Sequence, residues 1–229
     1  MTLMDTDKVI ERLVDSSTPV RRLARPWVRA VGWLAVGMPY VALVVLVMAP
    51  RPDLLEKLRD VNFSIEQTAA LLTAISAAIA AFATTVPGYD RKIVLLPLAP
   101  LGVWLGSLGQ GCIEGWIRSG SIALAFASDW FCIPAIILVG TVPAIAMAFM
   151  LRRGAPLRPH ITVALGGLAA AGLGNFGLRL FHAQDASLMV LVWQMGTVVL
   201  LTILCGWAGQ LLLSWKSLNG DVRRAIFSR

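Results

Sequence analysis

The sequence predicts an all-α integral membrane protein: six transmembrane helices, both termini cytoplasmic, and a short amphipathic helix ahead of the first span. Three observations lead there. Hydrophobic residues make up 57% of the 229-residue chain and charged residues 14%, with a mean hydropathy of +0.74. A soluble domain of this size has too small a core for that much apolar side chain, and charged residues ordinarily approach a quarter of the total. Six apolar runs, roughly 27–49, 68–86, 93–109, 130–151, 161–178 and 187–213, are long enough to span. Finally, basic residues segregate between alternate connections.

That segregation sets the expected orientation. With the N-terminus inside, the inner segments hold Lys8, Arg12, Arg21, Arg22, Arg25, Arg29, Arg91, Lys92, Arg152, Arg153, Arg158, Lys216, Arg223, Arg224 and Arg229. The outer segments hold only Arg51, Lys57, Arg59, Arg118 and Arg179. This is a strong positive-inside bias, and removing one span would scramble it. The chain then divides into a cytoplasmic N-terminal segment 1–26, a membrane domain 27–215 and a cytoplasmic tail 216–229. The net charge of +7 follows from topology: basic residues flank apolar runs instead of lining one surface, so direct nucleic-acid binding is not expected. The first apolar run starts too far in, and lacks a small-residue cleavage site, to be a removable signal peptide.

In chain order, Asp5 or Thr6 can cap a helix that runs to about Asp15. Three-and-four spacing puts Val9, Ile10, Leu13 and Val14 on one face, with Lys8, Glu11 and Arg12 turned away. Its polar side is as acidic as basic and its apolar face has no aromatic anchor, which favours a protein partner over a lipid surface. Pro19 ends it, and Arg21 and Arg22 lead toward the first span. After that span, Leu54, Leu55, Leu58, Val61 and Ile65 predict an amphipathic helix lying at the outer interface. The second run carries a small-residue row, Ala70, Ala74 and Ala78, and the fifth carries Gly166, Ala170 and Gly174, rows that let helices approach closely. Pro97, Pro100, Pro134 and Pro143 can kink the third and fourth spans. In the tail, Leu218, Val222 and Ile226 repeat an amphipathic pattern beside Arg223 and Arg224.

The apolar runs contain almost no ionisable groups, and Asn175, Gln194, Thr141 and Thr202 are expected to make interhelical hydrogen bonds. Midplane charge or broken helices, which transporters use, are not evident. Ser107 lies among glycines, but His160 and His182 fall in loops, away from any reactive serine at membrane depth. No Cys-x-x-Cys pair points to a thiol oxidase. No enzyme activity, cofactor or metal centre is expected; a small transporter or membrane enzyme with a site in the bundle is the alternative class. Two thiols stand out, Cys112 and Cys132, near the ends of the loop between the third and fourth runs. On the outer side they can form a structural disulfide or act as sensor thiols, open to oxidation or soft metals, with His182 on the same side.

Several local sequences together resemble the NrsF-type anti-sigma factors, six-span proteins of the bacterial inner membrane. They are Pro19-Val20-Arg21-Arg22-Leu23, Arg51-Pro52-Asp53-Leu54, Val86-Pro87-Gly88, Leu95-Leu96-Pro97-Leu98, Trp104-Leu105, Ser107-Leu108-Gly109 and Gly111-Cys112. The most specific is the hairpin Leu151-Arg152-Arg153-Gly154-Ala155-Pro156-Leu157-Arg158-Pro159. The resemblance implies that cytoplasmic segments hold an extracytoplasmic-function (ECF) sigma factor at the membrane until an outer stress, read at cysteines, releases it. Cys132 matches such a cysteine. The chain departs from the pattern where Ala183 follows His182 and many relatives carry a cysteine, which leaves either Cys112 as the second thiol or a changed signal. Burying Val9, Ile10, Leu13 and Val14 would contribute roughly 1.5–3 kcal/mol each, against an association cost on the order of 4–15 kcal/mol. A second contact, from Arg152, Arg153 and Arg158 or from the tail, is therefore expected.

Overall fold

The computed structural model describes residues 6–15, 23–119, 132–154 and 158–182, with Gly196, Val199 and Ile203 as further helical positions. Every regular element among them is helical: α1 (Thr6–Asp15), α2 (Pro26–Met48), α3 (Leu54–Lys57), α4 (Val61–Ala83), a 3-10 turn (Arg91–Leu95), α5 (Leu98–Ser119), α6 (Cys132–Leu151) and α7 (Pro159–Phe181). Five of these segments are long and apolar enough to cross a membrane: α2, α4, the turn with α5 as far as Gln110, α6 from Pro134, and α7. The sixth expected run, 187–213, lies outside the described residues apart from those three positions, as do Arg21, Arg22 and the tail.

Each helix starts where its sequence allows. Pro26 and Pro159 open α2 and α7, at a position where the missing N–H would have had no intrahelical partner. Asp60 caps α4 by accepting from the Asn62 amide at 3.0 Å, and Asp90 caps the 3-10 turn by accepting from Lys92 at 2.9 Å. The Asp60 cap starts α4 well ahead of the apolar run. That corrects the expected interfacial helix: only Leu54–Lys57 is helical before it, while Val61 and Ile65 belong to the exposed flank of α4. The thiol-bearing loop needs a correction as well. No proline interrupts Gly109 to Ser119, so α5 continues through Cys112 to Ser119, and Cys112 stands on a helix.

Helices α4 and α7 form the centre, with α2 and α6 packed against them on one side and α5 against α4 on the other. The core is alanine-rich: Ala74, Ala77 and Ala78 are fully buried on α4, beside Trp33, Val41, Phe82, Val139, Met147 and Leu173, while Ala70 is buried with Trp104 and Leu108 of α5. Both small rows read from the sequence are used, but against different neighbours. The Ala70–Ala74 row receives Gly172 of α7, where an added Cβ would stand 3.0 Å from the Ala70 carbonyl oxygen and 3.2 Å from the Ala74 Cβ. Gly166 and Gly174 instead face Met147, Leu151 and Gly140 of α6. Small residues on two faces let α7 approach two helices at once.

Gly172→Val should therefore force α4 from α7 and cost about 1–3 kcal/mol by overpacking. The check is a thermal midpoint in detergent, lowered by several degrees, while Gly106→Ala, with nothing within 4 Å of the added carbon, leaves it unchanged. Of the four prolines expected to kink spans, only Pro143 is a helix-interior residue. Pro97 sits in the turn before α5, and Pro100 and Pro134 fall in first turns, where a proline disturbs no bond. Pro39, inside α2, is a further interior proline.

Candidate functional site

The antiparallel packing gathers charge at two ends. At one end lie Arg25, Arg29, Arg91, Lys92, Arg152, Arg153 and Arg158, with Asp90 as the acidic counterpart. At the other lie Arg51, Lys57, Arg59 and Arg179 with Asp53, Glu56, Asp60 and Glu66. The first end is strongly basic and the second is balanced.

At the basic end a single side chain joins three connections. Arg29 is buried; it donates to Thr85 Oγ1 at 2.8 Å and to the Met150 carbonyl at 2.6 Å. Its guanidinium lies 4.4 Å from the centre of the Phe82 ring. Helix α2 is thereby tied to the end of α4 and to the last turn of α6, whose carbonyls have no intrahelical donors. Next to this, Thr84 and Thr162 share a 2.8 Å hydrogen bond across α4 and α7. Gly154 meets Thr85 so closely that an added Cβ would lie 2.5 Å from the threonine Cβ. The 152–154 turn, with Arg152 and Arg153 exposed, is thus pinned beside the start of α2. Arg158 is exposed, and its carbonyl accepts from the Thr162 amide and hydroxyl at 3.0 and 3.1 Å.

The balanced end contains charge that the sequence reading left in loops. Glu66 and Arg179 are both helical and buried, on α4 and α7. Arg179 Nη2 donates to Glu66 Oε2 at 3.1 Å. Its Nε stands 3.1 Å from Oε1 as an ion-pair contact, but without hydrogen-bond alignment. The Phe63 ring lies between two guanidiniums, 5.5 Å from Arg179 and 5.9 Å from Arg51. Arg51 in turn grips Asp53 with two bonds, 2.7 and 2.8 Å, and its amide donates to the Leu180 carbonyl at 3.1 Å. That backbone bond staples the α2–α4 connection to the end of α7.

The Arg51 guanidinium, bonding its side chain, holds the Asp53 carboxyl below the usual carboxylate range. A depressed carboxyl contributes stability above its ordinary pKa of about 4 and loses it as pH falls through the lowered value. The Arg51–Asp53 grip should accordingly persist at mildly acidic pH.

Gln67 and Asn175 are 5% and 6% exposed, and among the described residues none of their four amide atoms has a hydrogen-bond partner. The interhelical bond expected of Asn175 is therefore not made within the described residues. Thr141 bonds to Ile137 of its own helix instead of across helices.

The sequence-derived residues fall as follows. Helix α1 has the expected limits, with Ile10 52% and Val14 64% exposed; Val9 and Leu13 are on the same helix by position. Cys132 opens α6 and Cys112 is within α5, and their side chains lie outside the described residues. His182 follows α7, its amide donating to the Leu178 carbonyl at 2.9 Å. His160 stands in the first turn of α7 instead of in a loop. Arg29, Glu66 and Arg179 were missed as interacting residues. Helical phase is a usable signal for Glu66, which precedes Ala70 by four residues and continues the Ala70–Ala74–Ala78 row; Arg179 follows Gly172 by seven, on the face that meets α4 and off the Gly166–Gly174 row.

An all-helical bundle whose long helices are suited to a membrane, with a basic end and no strand among the described residues, defines a helical membrane protein. Its sequence matches the family profile NrsF, negative regulator of sigma F, over residues 13–215, and the chain belongs to that family. A sigma factor is the partner that this membership implies. Comparison with curated proteins and with solved structures gives no match.

Proposed function

We propose that this chain is an anti-sigma factor of the bacterial inner membrane, with both termini cytoplasmic. It sequesters an ECF sigma factor through α1 and the segment leading to α2, and releases it when outer stress acts on Cys112 and Cys132. The observation that carries the reading, beside family membership, is convergence at the basic end. Arg29 fastens the start of α2, which follows the N-terminal segment, to the last turn of α6, which leads directly into Arg152 and Arg153. A partner held by α1 would therefore lie within reach of a second, cationic contact, and two tethered contacts act at high effective concentration. The same end is the one that the positive-inside bias places in the cytoplasm.

The alternative, a small transporter or membrane enzyme, draws on the buried Glu66–Arg179 pair, since intramembrane charge marks pathways. That pair is self-neutralised and lies near the helix ends: Arg179 is two residues from the end of α7. Two measurements test the regulator. The chain extracted from membranes in mild detergent should carry a sigma factor with it, and a preparation free of sigma factor refutes the reading. Reporter fusions should place the N-terminus and Cys132 on opposite faces; finding them on one face removes the sensing arrangement. Cys132→Ser should hold transcription repressed under oxidant or soft-metal stress that induces the wild type.

A further inference from the structure

We infer that the run 187–213 of this chain seats along the edge of α7 marked by Ala171, Asn175 and Leu178, with Gln194 meeting Asn175. The inference rests on the membrane-spanning reading and not on what the cytoplasmic segments bind. The described neighbours of α7 leave one sector to fill. Toward α6 and α2 the helix turns Gly166, Gly174 and Gly177, where an added Cβ would approach Met147, Gly140, Val41 and Val139. Toward α4 it turns Gly172 and Arg179, and α5 packs on α4. At about 100° per residue, Ala171, Asn175 and Leu178 fall between those two sectors, on a stripe of their own. The outer half of that stripe is nonetheless covered: Leu178 is 2% exposed and Asn175 6%.

Chain length and direction name the occupant. Helix α7 ends at Phe181 beside the α2–α4 connection, where the Leu180 carbonyl accepts from the Arg51 amide. Only residues 182–186 separate it from the next apolar run, and a connection that short joins antiparallel neighbours. The run therefore returns alongside α7, on the stripe that the other described helices leave. Three positions set which way it faces. Gly196, Val199 and Ile203 are helical and exposed, and at three-and-four spacing they form one outward stripe. Gln194 lies about 140–180° around the helix from each of them, on the inward side. Depth agrees as well. Asn175 comes six residues before the end of α7, and Gln194 seven after the start of the run. At 1.5 Å per residue both amides stand about 9–10 Å below the connection between the two helices. An amide at that depth needs what lipid cannot supply, and a facing amide offers donor and acceptor together. The run then reaches the start of α7, so the tail from Lys216 leaves the bundle beside Arg158 and adds its cations to the basic end.

Disulfide trapping in native membranes tests the seat, using the full-length chain in a cysteine-free background (Cys112→Ala, Cys132→Ala, Cys205→Ala). Antiparallel register pairs Leu178 with Leu191 and Ala171 with Val198. The variants Leu178→Cys/Leu191→Cys and Ala171→Cys/Val198→Cys should cross-link within one chain under mild oxidant, because bridged Cα atoms stand within about 7 Å. Ala171→Cys/Val199→Cys, whose second position faces outward, should not. A bridge from Ala171→Cys to Leu108→Cys of α5, a cross-linked dimer, or no bridge in either register pair overturns the seat. Thermal midpoints in detergent test the amide contact. Asn175→Leu and Gln194→Leu should each lower the midpoint by roughly 2–12 °C by stranding the other amide. The double variant should fall no further than the worse single variant. Additive falls, or no fall in either single variant, overturn the pairing. Neither readout involves a sigma factor, so failure here and failure of the anti-sigma reading are separable.

Discussion

Replacing Ile10 and Val14 together by glutamate should derepress sigma-dependent transcription without removing the protein from the membrane. Both side chains are more than half exposed on α1, so changing them should cost the bundle little packing. A sigma factor bound to that face would bury them. At roughly 1.5–3 kcal/mol per buried aliphatic side chain, losing two weakens the complex by about 3–6 kcal/mol. At 1.4 kcal/mol per tenfold, that is a hundredfold or more in affinity, before any cost of placing a carboxylate against the partner's apolar surface. Two assays run on the same strains check it: a sigma-dependent reporter, and recovery of the sigma factor with the tagged chain. Full repression by a variant present at normal membrane level would remove α1 from the mechanism.

Charge reversal at Arg152 and Arg153 should act more mildly. These side chains are exposed on the 152–154 turn, where exposed ion pairs contribute about 0–1 kcal/mol each. Their effect comes from raising effective concentration once α1 is engaged. The expected result is partial derepression that becomes complete when combined with the Ile10 and Val14 changes. Strict additivity in free energy would instead describe two independent sites.

Local signals in the sequence were sufficient where local physics decides. The limits of α1 follow from a cap and a four-residue apolar face, and the structure runs from Thr6 to Asp15 as expected. The rows at Ala70 and Gly166 were legible because small residues repeat at helical spacing, although the neighbour each row meets was not. Span ends were misplaced for a physical reason. Hydropathy averages over many residues, so a single glutamate or arginine at the edge reads as a boundary, whereas the backbone continues until a cap or a proline stops it. Asp60 therefore starts α4 ahead of Glu66, and α7 runs past Arg179. Pairing was invisible in a different sense. In the sequence Arg29 counts only as topological charge, yet it bonds residues 56 and 121 positions away, and nothing near Arg29 in the chain specifies Thr85 or Met150. Hydropathy likewise ends the third run at Gly109, short of Cys112; the glycines there lower helix propensity by about 1 kcal/mol each without forbidding the helix, and α5 continues to Ser119.

Arg179→Met should be the most destabilising single change in the membrane domain. The substitution keeps the length and apolar stem of the side chain and deletes the guanidinium, leaving the Glu66 carboxylate buried without its partner on α7. Breaking a buried pair by removing one member costs about 3–5 kcal/mol, because the remaining charge keeps its desolvation cost. For a chain of this size that lowers the unfolding midpoint by roughly 6–20 °C, together with less protein in the membrane. Replacing both members, Glu66→Leu with Arg179→Met, should recover most of the loss, since a buried pair and a well-packed apolar pair are often of similar stability. The comparison that isolates burial is Asp53→Asn. Its partner Arg51 is buried, but the Asp53 side chain is 40% exposed, and that change should cost no more than about 1 kcal/mol. A thermal double-mutant cycle in detergent reads all three. If the double variant is as unstable as Arg179→Met, the helices need these groups for something other than neutralising each other, and the ion pair is not what holds α4 to α7 at this end.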